Sequence, residues 1–369
     1  MFLLVICIFC SIFGISMVDK AVTGMYEGGW NMAAPAQFIA VQTGATILGI
    51  IAFVVLTVVD VDLVAQQWKF LLIVEAGLLV ALMIFGQDDG TGNKSWIRFG
   101  PIGIQPSEFI KFIYVVVAAK QMTYLKEYKN IDSPISIVQM AVHILAVFGG
   151  IMVVSSDLGS ATILLGIFIV MVFCLGVRLY WFAAGAATVA AAVPLLWSYF
   201  LKDYQKKRLI APYAPDIVDP EGYGITWQTN QSKLTLASGR LTGVEEGYTP
   251  TVFTGKHTDF IFSCVGENLG MIGCLIVLLL MLIIVIHCVR IGLRSGRTFD
   301  MLVCMGVAAS VMIQTLINVG MNIGITPVIG ITLPFFSYGG SSMVTMFGAM
   351  GLVSGIKYKL KPEHFSLTY

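Results

Sequence analysis

Long apolar runs alternate along this chain with short polar breaks. Runs long enough to cross a bilayer fall at residues 1–17, 38–59, 69–86, 105–124, 137–155, 160–176, 179–200, 261–287, 299–321 and 333–355. A spanning helix needs roughly 20 mostly apolar residues, so the pattern predicts an all-α polytopic membrane protein with about ten transmembrane helices. Strands of a membrane barrel would alternate apolar and polar residues, and these runs do not. Ser155-Ser156-Asp157 and Leu175-Gly176-Val177-Arg178 separate the fifth, sixth and seventh runs. The first run starts almost at Met1 but lacks the basic stretch and small-residue cleavage site of a signal peptide, so it reads as a retained helix. One break is long. Residues 201–258 form a polar stretch between the seventh and eighth runs, and a loop of that length is usually functional. With no linker, low-complexity tract or internal repeat, residues 1–369 read as one integral membrane domain.

Basic residues set the orientation. With the amino terminus in the cytoplasm, the inner segments carry Lys69, Lys120, Lys126, Lys129, Arg178, Arg290, Arg294, Arg297, Lys357, Lys359 and Lys361. The short outer loops then carry Lys20, Lys94 and Arg98. Short loops rich in Lys and Arg stay inside, so both termini are expected in the cytoplasm and residues 201–258 on the outer face.

Composition narrows the classes further. Of 369 residues, 57% are hydrophobic and 12% charged, whereas an ordinary soluble domain is about a quarter charged. A soluble globule of this composition would expose large apolar patches. The 22 Lys+Arg against 21 Asp+Glu leave no basic surplus for a nucleic-acid partner. The 23 Phe, 13 Tyr and 6 Trp exclude disorder. The long loop holds none of the seven cysteines, so no disulfide framework shapes it. Cys7-Ile8-Phe9-Cys10 has C-x-x-C spacing but sits in an apolar run, where thiols act as small hydrophobes. His143, His257, His287 and His364 are scattered without metal-ligand spacing, so no protein metal site is predicted.

Ionisable residues at membrane depth are costly and mark paired or functional positions. Glu75 lies in the middle of the third run; it is either an interhelical hydrogen-bonding carboxyl or part of a functional centre. Glu108 and Lys111 are three apart at the start of the fourth, so on a helix they share one face. They form either a local ion pair or the lining of a polar cavity open to the outer side. Asp157 can cap the following helix or face the same outer region. Asp259 closes the long loop, and Glu267 follows about two helical turns later.

The surroundings of these positions form a pattern. Asn93-Lys94-Ser95-Trp96-Ile97-Arg98-Phe99-Gly100 leads into Ile104-Gln105-Pro106-Ser107-Glu108-Phe109-Ile110-Lys111. Then come Ser156-Asp157-Leu158-Gly159-Ser160-Ala161, Gly222-Tyr223-Gly224, Gln231-Ser232, and His257-Thr258-Asp259-Phe260-Ile261-Phe262 before Glu267-Asn268-Leu269-Gly270. Near the carboxyl end stands Pro334-Phe335-Phe336-Ser337-Tyr338-Gly339-Gly340-Ser341-Ser342. In this order, over nearly the whole chain, these motifs resemble the SEDS family (shape, elongation, division and sporulation), which includes RodA, FtsW and SpoVE. The resemblance implies a peptidoglycan glycosyltransferase in a bacterial cytoplasmic membrane, polymerising lipid II on the outer face. It also implies a class B penicillin-binding protein as transpeptidase partner. By motif position Asp259 is the catalytic carboxylate, and Glu108, Lys111, Arg98, Asp157, Gln231, Ser232 and His257 belong to the substrate region. Trp96, Gly239 and the Ser337–Ser342 segment read as an interfacial anchor, a turn residue and a helix-packing surface.

The chemistry implied by the resemblance needs a base and an electrostatic partner. A sugar hydroxyl is a poor nucleophile, and a placed carboxylate can take its proton. The departing undecaprenyl pyrophosphate gains charge, for which Lys111, Arg98 and Arg208 are candidates and a divalent cation (Mg or Mn) could share the load. An α-linked donor giving a β-linked glycan implies direct inversion. A lipid II flippase and a noncatalytic scaffold for the penicillin-binding protein are the alternatives. A flippase needs polar groups through the whole membrane depth, whereas here most lie toward the outer face. The chain departs from the family at Ser238–Gly247, where Arg240, Glu245 and Glu246 stand in a usually glycine-rich segment. Asn268 replaces a usual glutamate and Ser156 a usual proline.

Overall fold

A computed structural model describes residues 1–30, 32–87, 93–99, 102–245 and 247–359; Gly100, Glu246, Lys361 and His364, named above, lie outside them. In chain order the helices are α1 (Phe2–Glu27), α2 (Pro35–Val58), α3 (Val61–Gln66) and α4 (Trp68–Phe85). A hairpin of β1 (Ile97–Phe99) and β2 (Ile102–Ile104) follows, antiparallel with Arg98 opposite Gly103. Next come α5 (Pro106–Tyr128), α6 (Pro134–Ser155), α7 (Leu158–Leu175) and α8 (Leu179–Leu195), which runs past Pro194 into a π turn at Leu196–Phe200. The long loop folds into α9 (Asp203–Ile210), α10 (Pro215–Val218) and α11 (Trp227–Ser238). The chain closes with α12 (Ile261–Arg294), α13 (Thr298–Ile323) and α14 (Gly340–Lys359).

The helix limits follow from local chemistry. Proline opens α2, α5 and α6, where its missing N–H costs no hydrogen bond. The Ser133 hydroxyl accepts from the Ser136 N–H to start α6, and Asp157 accepts from the Ser160 N–H at 2.9 Å to start α7. Gly176 (φ 95°) and Gly324 (φ 79°) end α7 and α13 in the left-handed conformation that glycine tolerates.

Among the described residues, eight helices are long and apolar enough to cross a membrane: α1, α2, α4, α6, α7, α8, α12 and α13. The predicted count of about ten is reached with α5 and α14, of 23 and 20 residues. Their weaker apolar character has a physical cause, because both are buried in protein. Helix α14 packs against α1, α2, α5, α12 and α13, and α5 against α4, α6, α7, α13 and α14. Small and polar residues suit such helix–helix faces better than lipid-facing ones. A Cβ on Gly351 of α14 would lie 2.5 Å from the Phe53 carbonyl of α2, so this contact requires glycine. The last apolar run was expected to begin its helix at 333, but α14 starts at Gly340. Residues 333–339 are instead held as a non-helical strap, described below. The Cys7 and Cys10 thiols are free and buried in α1.

One end of the bundle collects α1's start, where the Phe2 and His287 rings touch at 4.7 Å with a 43° tilt, and α14's end, where Lys357 meets His287 at 3.3 Å. The long loop and residues 324–339 lie at the other end.

Candidate active site

Asp259 sits in the tight turn that joins the long loop to α12, and it is partly exposed. Gly255 (φ 84°) opens the turn, its carbonyl accepting from the Thr258 and Phe260 N–H groups. Three successive carbonyls are then taken by distant residues. The Tyr338 N–H donates to the His257 carbonyl at 3.0 Å. The Ser337 hydroxyl donates to the Thr258 carbonyl at 2.6 Å. The Asn318 and Asn322 amides of α13 donate to the Asp259 carbonyl at 2.7 and 3.2 Å. The Asp259 backbone is therefore fixed from two sides before any substrate arrives.

The carboxylate faces the stretch Ile329–Ile331: a Cβ on Gly330 (φ 73°) would lie 3.8 Å from Asp259 Oδ2. Asn318 holds that stretch too, donating to the Ile331 carbonyl at 2.7 Å. On its far side, a Cβ on Gly159 would meet the Ile329 carbonyl at 2.5 Å, so only glycine lets α7 approach so closely. This contact brings Asp157 into the same neighbourhood. Asp157 is 8% exposed and accepts from the Ser160 N–H and hydroxyl, the Ser107 hydroxyl and the Gln105 amide. Its carboxylate thus ties the start of α5 to the start of α7.

The strap at 333–339 is clamped by Gln42 of α2, whose amide donates to the Ser337 carbonyl at 3.0 Å and accepts from the Gly339 N–H at 3.1 Å. Buried Phe335 is left-handed (φ 66°), a conformation that costs a bulky residue on the order of 1–3 kcal/mol and survives only where its surroundings over-determine it.

Glu108 and Lys111 form an ion pair at 2.7 Å, with side chains 6% and 4% exposed. A void of about 20 Å³ adjoins them, walled partly by Ser310 of α13 and Thr345 of α14. Glu108 Oε2 is buried without a protein hydrogen-bond partner, and the void is large enough to admit one water.

Beneath the turn lies a second buried pair, Lys256 with Glu267, each side chain 3% exposed. Lys256 donates to the Thr251 carbonyl and Glu267 accepts from the Thr251 N–H, so the pair staples residue 251 to α12. Helix α12 then breaks at Gly270 (φ 63°, ψ −162°). The Met271 and Ile272 N–H groups freed by the break donate to the Arg240 and Leu241 carbonyls. Arg240 adopts φ 46°, so the charged residue occupies a left-handed position that suits glycine. Ser156 is left-handed as well (φ 56°), and a proline ring could not take that angle.

In α11, the buried Ser232 hydroxyl donates toward the Asn322 carbonyl and Oδ1 at 3.0 and 3.1 Å, and so reaches Asp259 through Asn322. Gln231 is partly exposed on the same helix. Partly exposed Asp219 accepts from the Gly224 N–H and from the Thr226 N–H and hydroxyl, bonds led by the hydroxyl that hold its carboxyl below the usual range. Arg98 is exposed on the hairpin. Arg208, stacked over Tyr204, shares a cavity of about 70 Å³ with Lys233 and Thr226. Among the described residues no group of three or more His, Cys, Asp or Glu could hold a metal ion.

The His257 ring packs with Phe38 and Tyr338 in a three-ring cluster, centroids 5.2–5.7 Å apart, and its buried Nδ1 has no hydrogen-bond partner. Burial lowers its pKa from 6.5 to about 4. The ring is therefore neutral in both folded and unfolded chains above pH 6.5. Between pH 6.5 and 4 the unfolded chain binds a proton that the folded one refuses, so stability falls with pH through that window. Thermal unfolding in detergent should show a loss of roughly 3 kcal/mol across it, and His257→Phe should flatten the profile. An unchanged slope in the variant would remove His257 as its source.

Asn318, Asn322, Gln42 and Lys256 leave no motif in the sequence, and Ser337, expected on a helix-packing surface, instead bonds the Thr258 carbonyl. Gln314, Asn318 and Asn322 do leave a signal, since amides four apart form a polar stripe along an apolar helix.

The family described as cell cycle protein, of FtsW, RodA and SpoVE, matches residues 1–362. Stage V sporulation protein E of Bacillus subtilis (strain 168) is 34% identical over 316 residues, 84% of each chain. The peptidoglycan glycosyltransferase MrdB of Escherichia coli (strain K12) is 30% identical over 326 residues, 85% of this chain and 84% of its own. A structure on the coordination of polymerization and crosslinking by a peptidoglycan synthase complex superposes with a TM-score of 0.76 at 25% identity, over 96% of this chain and 98% of that one. RodA of Thermus thermophilus shares the fold, with a TM-score of 0.70 at 23% identity over 97% and 96% of the two chains. With the family model matching residues 1–362 and a relative 34% identical over 84% of each chain, the chain belongs to the FtsW, RodA and SpoVE family of cell cycle proteins.

Proposed function

We propose that this chain, a membrane peptidoglycan glycosyltransferase, joins lipid II units with Asp259 as general base. Asp259 takes the proton of the acceptor sugar hydroxyl as that oxygen bonds to the donor's anomeric carbon. The bond from that carbon to undecaprenyl pyrophosphate breaks, and its electron pair leaves with the pyrophosphate. The observation that carries this reading is the clamp on three successive carbonyls at residues 257–259. A base whose backbone is already fixed loses little freedom on reaching the reactive geometry. Positive charge for the leaving group is available from Arg98 and Arg208 at the surface, while buried Lys111 acts through its field. A divalent cation (Mg or Mn) would be shared between the pyrophosphate and at most one or two protein carboxylates, since no described group of three or more His, Cys, Asp or Glu could hold it.

Among the short loops and span ends, Lys126, Arg178, Arg294 and Lys357 gather at the end away from Asp259, a bias that supports cytoplasmic termini and an outward-facing Asp259. A penicillin-binding transpeptidase fits as partner, since the similar structure is a synthase complex. Purified protein with that partner and labelled lipid II should yield glycan strands and one undecaprenyl pyrophosphate per linkage. Lipid scrambling without glycan would contradict the reading.

The ion pair offers a further test. Lys111→Met leaves Glu108 charged and buried and should destabilise the fold by about 3–5 kcal/mol. Glu108→Gln with Lys111→Met should restore stability yet polymerise on the order of 10-fold more slowly, because the field at the site is gone. A double variant with full activity would show the pair to be structural only.

A further inference from the structure

At the end of the bundle opposite Asp259, helices α4, α5 and α6 enclose a groove of about 670 Å³, within the size range of small-molecule sites. Its wall is apolar, with Leu72, Val138 and Val142, the two valines 58% and 59% exposed. Two cations, Lys120 and Lys129, line it, and Trp68 and Tyr124 stand beside them, residues typical of the level where lipid headgroups meet the acyl region.

The inner wall is polar and partly hydrogen-bonded. His143 Nδ1 is 3.1 Å from Gln121 Oε1, and the Gln121 amide donates to the Gln139 carbonyl at 2.8 Å, which fixes the amide's orientation. The other ring nitrogen is 3.5 Å from buried Glu75. Lys129 spends one of its three donors on Gln139 Oε1 and keeps the rest for a ligand. Lys120, deeper along α5, has a stem long enough to carry its charge back toward the interface.

We propose that this groove binds one anionic phospholipid of the cytoplasmic leaflet, its phosphate at Lys120 and Lys129 and an acyl chain along the valine wall. Charge complementarity selects this occupant: a zwitterionic lipid would fill the apolar wall equally well but gain nothing net from two ammonium groups. The leaflet assignment rests on the orientation proposed above, while the site itself is independent of the polymerase reaction and is tested without it.

The experiment is native mass spectrometry of the delipidated full chain re-equilibrated with phosphatidylglycerol or with phosphatidylcholine of the same acyl chains. Two lysines at the usual worth of a basic residue near an anionic membrane surface predict a preference of roughly 30-fold for phosphatidylglycerol. Lys120→Gln with Lys129→Gln should bring the two lipids near parity, Val142→Trp should expel both, and Arg290→Gln with Arg294→Gln should leave the preference intact. Equal retention by the native chain, a preference that survives loss of both lysines, or equally tight binding of soluble glycerol phosphate would each overturn the proposal.

Discussion

Asp259→Asn should lower the polymerisation rate by about 10²–10⁴-fold while leaving lipid II binding nearly unchanged. That range is the usual contribution of a placed general base. The substitution keeps the shape of the side chain, and the clamp on the turn acts through main-chain carbonyls of residues 257–259, which it does not touch. The loss should therefore appear in kcat and spare KM. A merely structural carboxylate predicts a different outcome, in which the variant unfolds at lower temperature and binding weakens together with turnover. Steady-state kinetics and thermal unfolding on one preparation separate the two.

Lys256→Met should destabilise the fold by about 3–5 kcal/mol, as much as the loss of Lys111. It strands Glu267, 2% exposed, with its charge unpaired, and it releases the Thr251 carbonyl. Removing both partners, as Lys256→Met with Glu267→Leu, should recover at least half of that loss, because the cost lies in the uncompensated charge. Thermal unfolding of the singles and the double gives the coupling directly. Additive losses would mean that the two residues do not act as a pair. Polymerisation should follow stability here, since the pair braces the turn from beneath and neither residue is placed to meet substrate.

These two residues mark what the sequence did and did not make legible. The apolar runs located the long helices because bilayer thickness imposes a length that few other structures share. They failed where protein replaced lipid as the neighbour. The expected helix start at 333 became 340 because Gln42, nearly three hundred positions away, claims the backbone of the strap. Asp259, Glu108 and Lys111 stood out as charges at membrane depth. Asn318 and Asn322 did not, since a neutral amide in an apolar stretch is inexpensive until its partner is known. Lys256 belongs to no motif, and only the fold brings Glu267 against it. The departures at Ser156 and Arg240 gained meaning from backbone angles, which composition does not contain.

The central claim is that Asp259 removes the proton of the acceptor hydroxyl, and chemical rescue addresses it most directly. Asp259→Ala, assembled with a penicillin-binding partner and given labelled lipid II, should make almost no glycan in plain buffer. Added formate, a small carboxylate able to enter the gap, should restore strand synthesis in proportion to its concentration and leave the native rate unchanged. Glycan made by Asp259→Ala at the native rate without any added acid would contradict the account.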